Sequence, residues 1–330
     1  MSAPATQFVV LAGMLGSGKT TLLEALLHDD AAATSTAVIV NEVGVINIDG
    51  AVLSESARGT PMATLSNGCV CCSLTNDLVT TIEDLVDTRT RSGLPAFERI
   101  VLECSGLSRP GQVMQSLNPL CGMGLRIHIV VTYDCSRPPL DTDDFDTVAA
   151  QLGAAHTITL TKTDLISAQQ RRREHALMEK LNPLARIVDA DTAEARAREA
   201  FSDTHVGQSF DWTVPAMQYS SHRALLHPRV RVFCARFRGP LEWEQTLDWI
   251  ENISGAIGER LLRMKAIVPG PGGSGRVLLQ SVGTTFAQPR RLAAANDTDM
   301  AAIFIVRDCA MQDFEDFGMN GSVRWTSLQS

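Results

Sequence analysis

The chain has 330 residues, 45% of them hydrophobic, enough to bury a sizeable core and to form two domains or one large domain with an appendage. Its 37 acidic residues outnumber 29 basic ones for a formal net charge of -8, which argues against a nucleic-acid partner; the basic run Arg171, Arg172 and Arg173 reads as a solvated helix face. No apolar run approaches the ~18 residues of a membrane span, and eight cysteines, five of them scattered, imply free thiols in a reducing compartment, read as the cytoplasm.

Residues 1–6 carry no basic region. The apolar stretch 8–15 runs into a glycine-rich loop, so a strand over 8–12 is expected and not a targeting segment. That loop, GMLGSGKT, fits the phosphate-loop pattern and is followed by a leucine-rich helix predicted over 20–27. Gly13, Gly16, Ser17 and Gly18 let backbone N–H groups curl around a phosphate, with the helix N-terminus adding positive potential. Lys19 would reach the β and γ phosphates and Thr20 would bind magnesium, with Thr21 next in the same nucleotide-binding set. A strand over 37–40 closes on Asn41-Glu42, and Asp49 follows in a loop. Glu42 and Asp49 are candidates for magnesium or the attacking water; the alternative is a turn acid or a helix cap.

Cys69, Cys71 and Cys72 fall within four residues. Thiolates suit zinc, copper(I) and related soft ions, and a tetrahedral shell would need a further ligand, for which Glu42 or an incoming partner is a candidate. A redox pair of Cys71 and Cys72, or buried inert thiols, are the alternatives. After a helix predicted over 77–89, the strand 99–102 ends in Glu103, Cys104, Ser105 and Gly106, where a magnesium-directed acid and a γ-phosphate-sensing N–H belong. Lys19, Glu42 and Glu103 are thus the catalytic candidates. No arginine finger is identifiable, so unassisted hydrolysis is expected to be slow.

Further strands are expected over 127–132 and 157–160, with helices over 146–152 and 169–181. Thr161-Lys162-Thr163-Asp164 follows the second strand and reads as a guanine-selecting element. A carboxylate at Asp164 accepts from guanine N1–H and its exocyclic amine, which adenine lacks, while Lys162 covers the ring. Thr161 replaces the commoner Asn. The βαβ rhythm predicts an α/β fold, a mostly parallel P-loop sheet with helices on both faces. Beyond residue 200 it gives way to an irregular connection over 202–228, then a strand over 230–238, a helix over 241–253, and strands over 262–268, 276–282 and 302–306, the first two of these joined by a glycine- and proline-rich hairpin-like loop: a small α+β domain. The expected boundaries are 1–205, a linker over 206–228, and 229–330.

The stretches GMLGSGKTTLLEALL, NEVGVINIDG, NGCVCCSLTNDL, ECSGLSRP and TKTDL, in this order, resemble the CobW family of metal-chaperone GTPases, and LLRMKAIV, VLLQSVGTTF and AAIFIVRD resemble that family's second domain. The resemblance implies GTP binding and slow hydrolysis that control delivery of a metal to a client apoprotein. It places metal binding on Cys69, Cys71 and Cys72 and supports magnesium or metal roles for Glu42 and Glu103. The implied cofactors are GTP, magnesium and a transition metal, zinc first, with cobalt(II) or iron(II) as alternatives. Three departures stand out: Val45-Ile46-Asn47 lacks an acid and a glycine common there, Cys104 replaces a common threonine, and His205, His222 and His227 are isolated instead of forming a histidine-rich tract. The competing readings are a GTP-dependent regulatory switch with structural or redox cysteines and a small-molecule kinase using ATP. No oligomeric state is read from the chain.

Overall fold

The computed structural model describes residues 6–41, 60–65, 74–137, 144–202, 229–238, 241–292, 300–318 and 322–328. The chain divides into two compact units, Met1–Ala176 with Ala185–His205, and Leu177–Leu184 with Val206–Ser330.

The first unit is built on seven strands: β1 (Gln7–Ala12), β2 (Thr36–Asn41), β3 (Met62–Leu65), β4 (Arg99–Glu103), β5 (Arg126–Asp134), β6 (Thr157–Thr161) and β7 (Arg186–Val188). They lie in the order β3-β2-β4-β1-β5-β6-β7, and every pairing is parallel. Strands covered on both faces need continuous apolar sequence, and β1 (QFVVLA) and β2 (TAVIVN) are buried at every position. On one face, Leu22, Leu23, Leu26 and Leu27 of α1 (Lys19–Leu27) pack with Val9, Leu11, Val38, Val101 and Val130. Ala33 of α2 (Asp30–Ser35) and Ala197 and Ala200 of α7 (Ala193–Ala200) join that cluster. Each such leucine contributes about 1.5–3 kcal/mol by leaving water. A second helix set, α3 (Leu74–Arg91), α4 (Pro110–Ser116) and α5 (Phe145–Ala154), packs in sequence and meets β3, β1 and β5 respectively. The helix α6 (Ala168–Leu181) follows β6.

β1 lies between β4 and β5, so the chain leaves the carboxyl end of β1 at the point where the sheet's order runs outward in both directions. Open parallel sheets form their ligand crevice there.

The second unit carries an antiparallel sheet ordered β11-β10-β9-β13-β8-β14, with β12 on β10. Its strands are β8 (Val230–Phe237), β9 (Leu261–Pro269), β10 (Arg276–Val282), β11 (Thr285–Phe286), β12 (Arg290–Leu292), β13 (Ala301–Arg307) and β14 (Val323–Ser327). One face is covered by Trp249, Ile250, Ile253 and Ile257 of α8 (Trp243–Ile257), packed on Phe233, Phe304 and Phe314, the last from the short helix α9 (Gln312–Glu315). The buried Trp249 indole donates to the Phe317 carbonyl, as a buried ring N–H must find an acceptor.

The predicted parallel fold and α+β second unit are both present. The helix expected from Leu241 begins at Trp243, because Glu242 takes an extended N-cap conformation. The reading overlooked β3, β7, β11, β12 and β14, strands of two to five residues, too short to display periodicity. The connection predicted over 202–228 lies almost wholly outside the described residues.

Candidate nucleotide site

Three loops, at the carboxyl ends of the parallel strands β1, β4 and β6, converge on one another. The first runs from β1 into α1. Gly13, Gly16 and Gly18 all adopt positive φ (140°, 72° and 90°). Gly13 also has no room for a side chain: a Cβ there would lie 2.7 Å from both the Ser17 hydroxyl and the Thr132 carbonyl. No side chain caps α1, so its first N–H groups face the loop and are open to an anion. The buried Lys19 ammonium donates to the Gly13 and Met14 carbonyls at 2.9 and 3.1 Å and thus lies across the loop.

The second loop follows β4. The Thr20 hydroxyl donates to Glu103 Oε1 at 2.8 Å, and Glu103 is buried. Gly106 abuts the phosphate loop so tightly that a Cβ would stand 2.6 Å from the Leu15 amide nitrogen. Gln151 of α5, also buried, donates through Nε2 to the Gly106 and Ser108 carbonyls at 2.9 and 3.0 Å. Replacing Gln151 with Leu should strand both carbonyls and lower stability by about 2 kcal/mol, read as a fall in the urea midpoint at unchanged slope. Cys104 is buried at the same strand end, and burial pushes its thiol up to about 12 against the opposing pull of the Lys19 charge, a state that disfavours the thiolate at neutral pH.

The third loop follows β6. Thr161 is buried and its hydroxyl lies 2.8 Å from the Ser17 carbonyl and 3.0 Å from the Tyr133 carbonyl, tying this loop to the first. Its methyl group would lie 3.5 Å from a Cβ on Gly18. The threonine that replaces the commoner Asn therefore serves to hold the phosphate loop. Lys162 turns the chain with φ 54°, and Asp164 follows, exposed in a short 3-10 turn over Thr163–Leu165.

The sequence reading missed Asp134 at the end of β5, which organises this side. Its buried carboxylate accepts from Lys162 Nζ at 2.7 Å and from the Ser136 amide and hydroxyl at 2.9 and 2.6 Å. Burial raises the carboxyl pKa, but these hydrogen bonds outweigh it and hold it below the usual carboxylate range. Asp134 is thus ionised at neutral pH and pins Lys162 beside the base loop.

Gly13, Gly16, Ser17, Gly18, Lys19, Thr20, Thr21, Glu103, Gly106, Thr161, Lys162 and Asp164 thus all lie in these three loops or at the strand and helix ends that flank them. Glu42, Asp49, Cys69, Cys71 and Cys72 lie outside the described residues. Their approach is described: β2 and β3 end side by side, Asn41 paired with Leu65. Glu42 is one residue beyond the first and Cys69 four residues beyond the second. Among the described residues no group of three or more His, Cys, Asp and Glu side chains is placed to hold a metal ion, and no helix is long and apolar enough to cross a membrane.

Comparison with known proteins agrees with this geometry. Residues 7–189 match the CobW/HypB/UreG nucleotide-binding domain, and residues 230–317 match the cobalamin synthesis protein cobW C-terminal domain. The chain is 27% identical to the zinc chaperone YjiA of Escherichia coli (strain K12) over 83% of this chain and 85% of that one. It is 27% identical to the zinc chaperone CobW of a Sinorhizobium species, over 86% of each. The crystal structure of Zn(II)-bound YjiA GTPase from E. coli superposes with a TM-score of 0.67 at 20% identity, covering 97% of this chain and 99% of that one, a likeness of fold. With the first domain matched over more than half the chain and the second following it, the chain belongs to the CobW family of P-loop nucleotide-binding proteins.

Proposed function

We propose that the protein is a slow GTPase and metallochaperone, which binds a transition metal through Cys69, Cys71 and Cys72 and passes it to a client apo-metalloprotein under the control of GTP. The observation that carries the nucleotide half is the convergence of the phosphate loop, the Thr20–Glu103 pair and the Lys162–Asp164 turn at one crevice. Lys19 and the N–H groups of the loop take the phosphates, Asp164 reads the guanine edge and Lys162 lies along the ring. Thr20 and Glu103 offer two hard oxygens 2.8 Å apart, a donor set that fits magnesium. When bound, that cation neutralises charge on the β and γ phosphates. Gly106 abuts Leu15 of the phosphate loop, and its N–H is the group that would sense a γ-phosphate there; Glu42 and Asp49 supply acids for the cation or the attacking water.

For the metal half, support comes from the thiolate cluster, the zinc chaperone names of the relatives, and the adjacent ends of β2 and β3. β2 also pairs with β4, so the exit toward the cysteines is one strand removed from the strand carrying Glu103. Movement of the loop after β4 when GTP binds shifts this edge and changes the metal site. Zinc is the cargo favoured by the relatives' names, with cobalt(II) and iron(II) as lesser candidates, and the scattered thiols agree with the cytoplasm. Residues 1–205 form the GTPase domain, 206–228 a linker, and 229–330 a client-facing domain.

The test is to titrate the reduced protein with cobalt(II) and zinc, with and without magnesium and a non-hydrolysable GTP analogue, following thiolate-to-cobalt absorption. The expected result is a sulfur–cobalt band that vanishes when Cys69, Cys71 and Cys72 are all replaced by Ser. Its affinity should move about 5- to 150-fold with nucleotide, and the metal should change nucleotide affinity by the same factor. A band indifferent to nucleotide, or none at all, sinks the coupling and leaves a GTP-dependent switch with structural thiols.

A further inference from the structure

The turn after β5 holds an arginine for which the nucleotide-site reading has no use. Asp134 through Arg137 form a tight turn, with the Arg137 amide donating to the Asp134 carbonyl at 3.4 Å. The guanidinium returns over the phosphate loop. Its Nη2 and Nη1 lie 3.8 and 4.0 Å from where a Cβ on Gly16 would stand, and among the described residues, its chain neighbours aside, no other group comes within 4 Å of that point. Resting on the reading of this crevice as a GTP site, we propose that Arg137 binds the nucleotide itself, clamping the α-phosphate from the outer side of the phosphate loop.

The plain alternative is an exposed arginine paired with the acid three residues earlier, a contact worth about 0–1 kcal/mol. The geometry disfavours it as the whole account. Asp134 is already engaged by Lys162 at 2.7 Å and by Ser136, whereas Arg137 Nε stands 3.5 Å from the same carboxylate. The acid steers the arginine more than it saturates it. The remaining guanidinium nitrogens face a loop already positive from Lys19 and the α1 N-terminus. A second cation there is repelled until an anion arrives, and a phosphate oxygen between loop and guanidinium converts that repulsion into charge-assisted hydrogen bonds.

The sheet order says which phosphate. Glu103 and Gly106 follow β4 on one side of β1, so the γ end of the nucleotide lies there. Arg137 follows β5 on the other side, between the phosphate loop and the base-reading turn after β6. That position meets the α-phosphate, shared by GTP, GDP and GMP, and is remote from the bond that is hydrolysed.

The experiment is calorimetric titration of wild type, Arg137→Ala and Arg137→Lys with GMP, GDP, 2′-deoxy-GDP and a non-hydrolysable GTP analogue, together with steady-state GTP hydrolysis. In Arg137→Ala all four dissociation constants should rise by about tenfold, and the same factor should appear in KM and not in kcat. Arg137→Lys should recover part of the loss, and unfolding in urea without nucleotide should keep its midpoint. Unchanged dissociation constants overturn the proposal. So does a loss absent from 2′-deoxy-GDP, which means a ribose contact, or a fall in kcat alone, which means a transition-state arginine. Failure of the wild type to bind any guanine nucleotide would instead sink the underlying GTP reading.

Discussion

Replacing Asp164 with Asn should weaken GDP and GTP binding by about 10²- to 10³-fold and transfer preference to xanthine nucleotides, because two hydrogen bonds to a charged acceptor are exchanged for one and an opposed pair of donors. Guanine offers N1–H and an exocyclic amine side by side, and a carboxylate accepts from both. The Asn amide accepts only one and turns its own N–H toward the amine. Xanthine carries an oxygen in place of that amine, so the same amide fits it. The variant should be structurally innocent, since Asp164 is exposed and lies in a three-residue turn. Dissociation constants for GDP, XDP and ADP settle the matter, with urea unfolding as the control. Wild-type GDP affinity in the variant would mean that Asp164 does not read the base, and a wild-type preference for ATP would restore the kinase reading.

How much of this was legible in sequence divides along physical lines. The strands read correctly were those of five residues or more with long apolar runs, among them β1 and β2, buried at every position, and β10 and β13 of the second unit. The phosphate loop was legible because its glycines are demanded locally: Gly13, Gly16 and Gly18 adopt φ values that disfavour other residues. Contacts made between loops left no trace in spacing. Gln151 reaches back across 45 positions to Gly106, and Asp134 meets Lys162 across 28. Nothing local in the sequence distinguishes Arg137 from any exposed arginine; its approach to Gly16 exists only in the fold. Nor does spacing show that the Thr161 hydroxyl turns inward to the phosphate loop.

A second substitution addresses hydrolysis and the metal coupling together. Gly106→Ala should leave GDP affinity within about twofold of wild type and lower GTP turnover by about 10²-fold, the scale of losing one preorganised backbone donor to developing phosphate charge. The reason is space and not backbone strain, because Gly106 is absent from the glycines with positive φ. An added Cβ would lie 2.6 Å from the Leu15 nitrogen, 3.0 Å from its Cα and 3.1 Å from its Cβ. Two of those atoms are backbone, so no rotamer change relieves the clash. The loop after β4 must draw back, carrying Gly106 N–H away from the γ-phosphate and straining the Gln151 hydrogen bonds behind it. GDP, lacking that phosphate, reports only on the phosphate loop and the base turn. If the loop after β4 transmits nucleotide state to the metal site, the same variant should bind cobalt(II) with one affinity whether GDP or a GTP analogue is present. A Gly106→Ala protein that hydrolyses GTP at the wild-type rate removes Gly106 from γ-phosphate sensing. One that is slow yet still shifts its cobalt affinity between the two nucleotides routes the coupling through another element, the segment beyond Asn41.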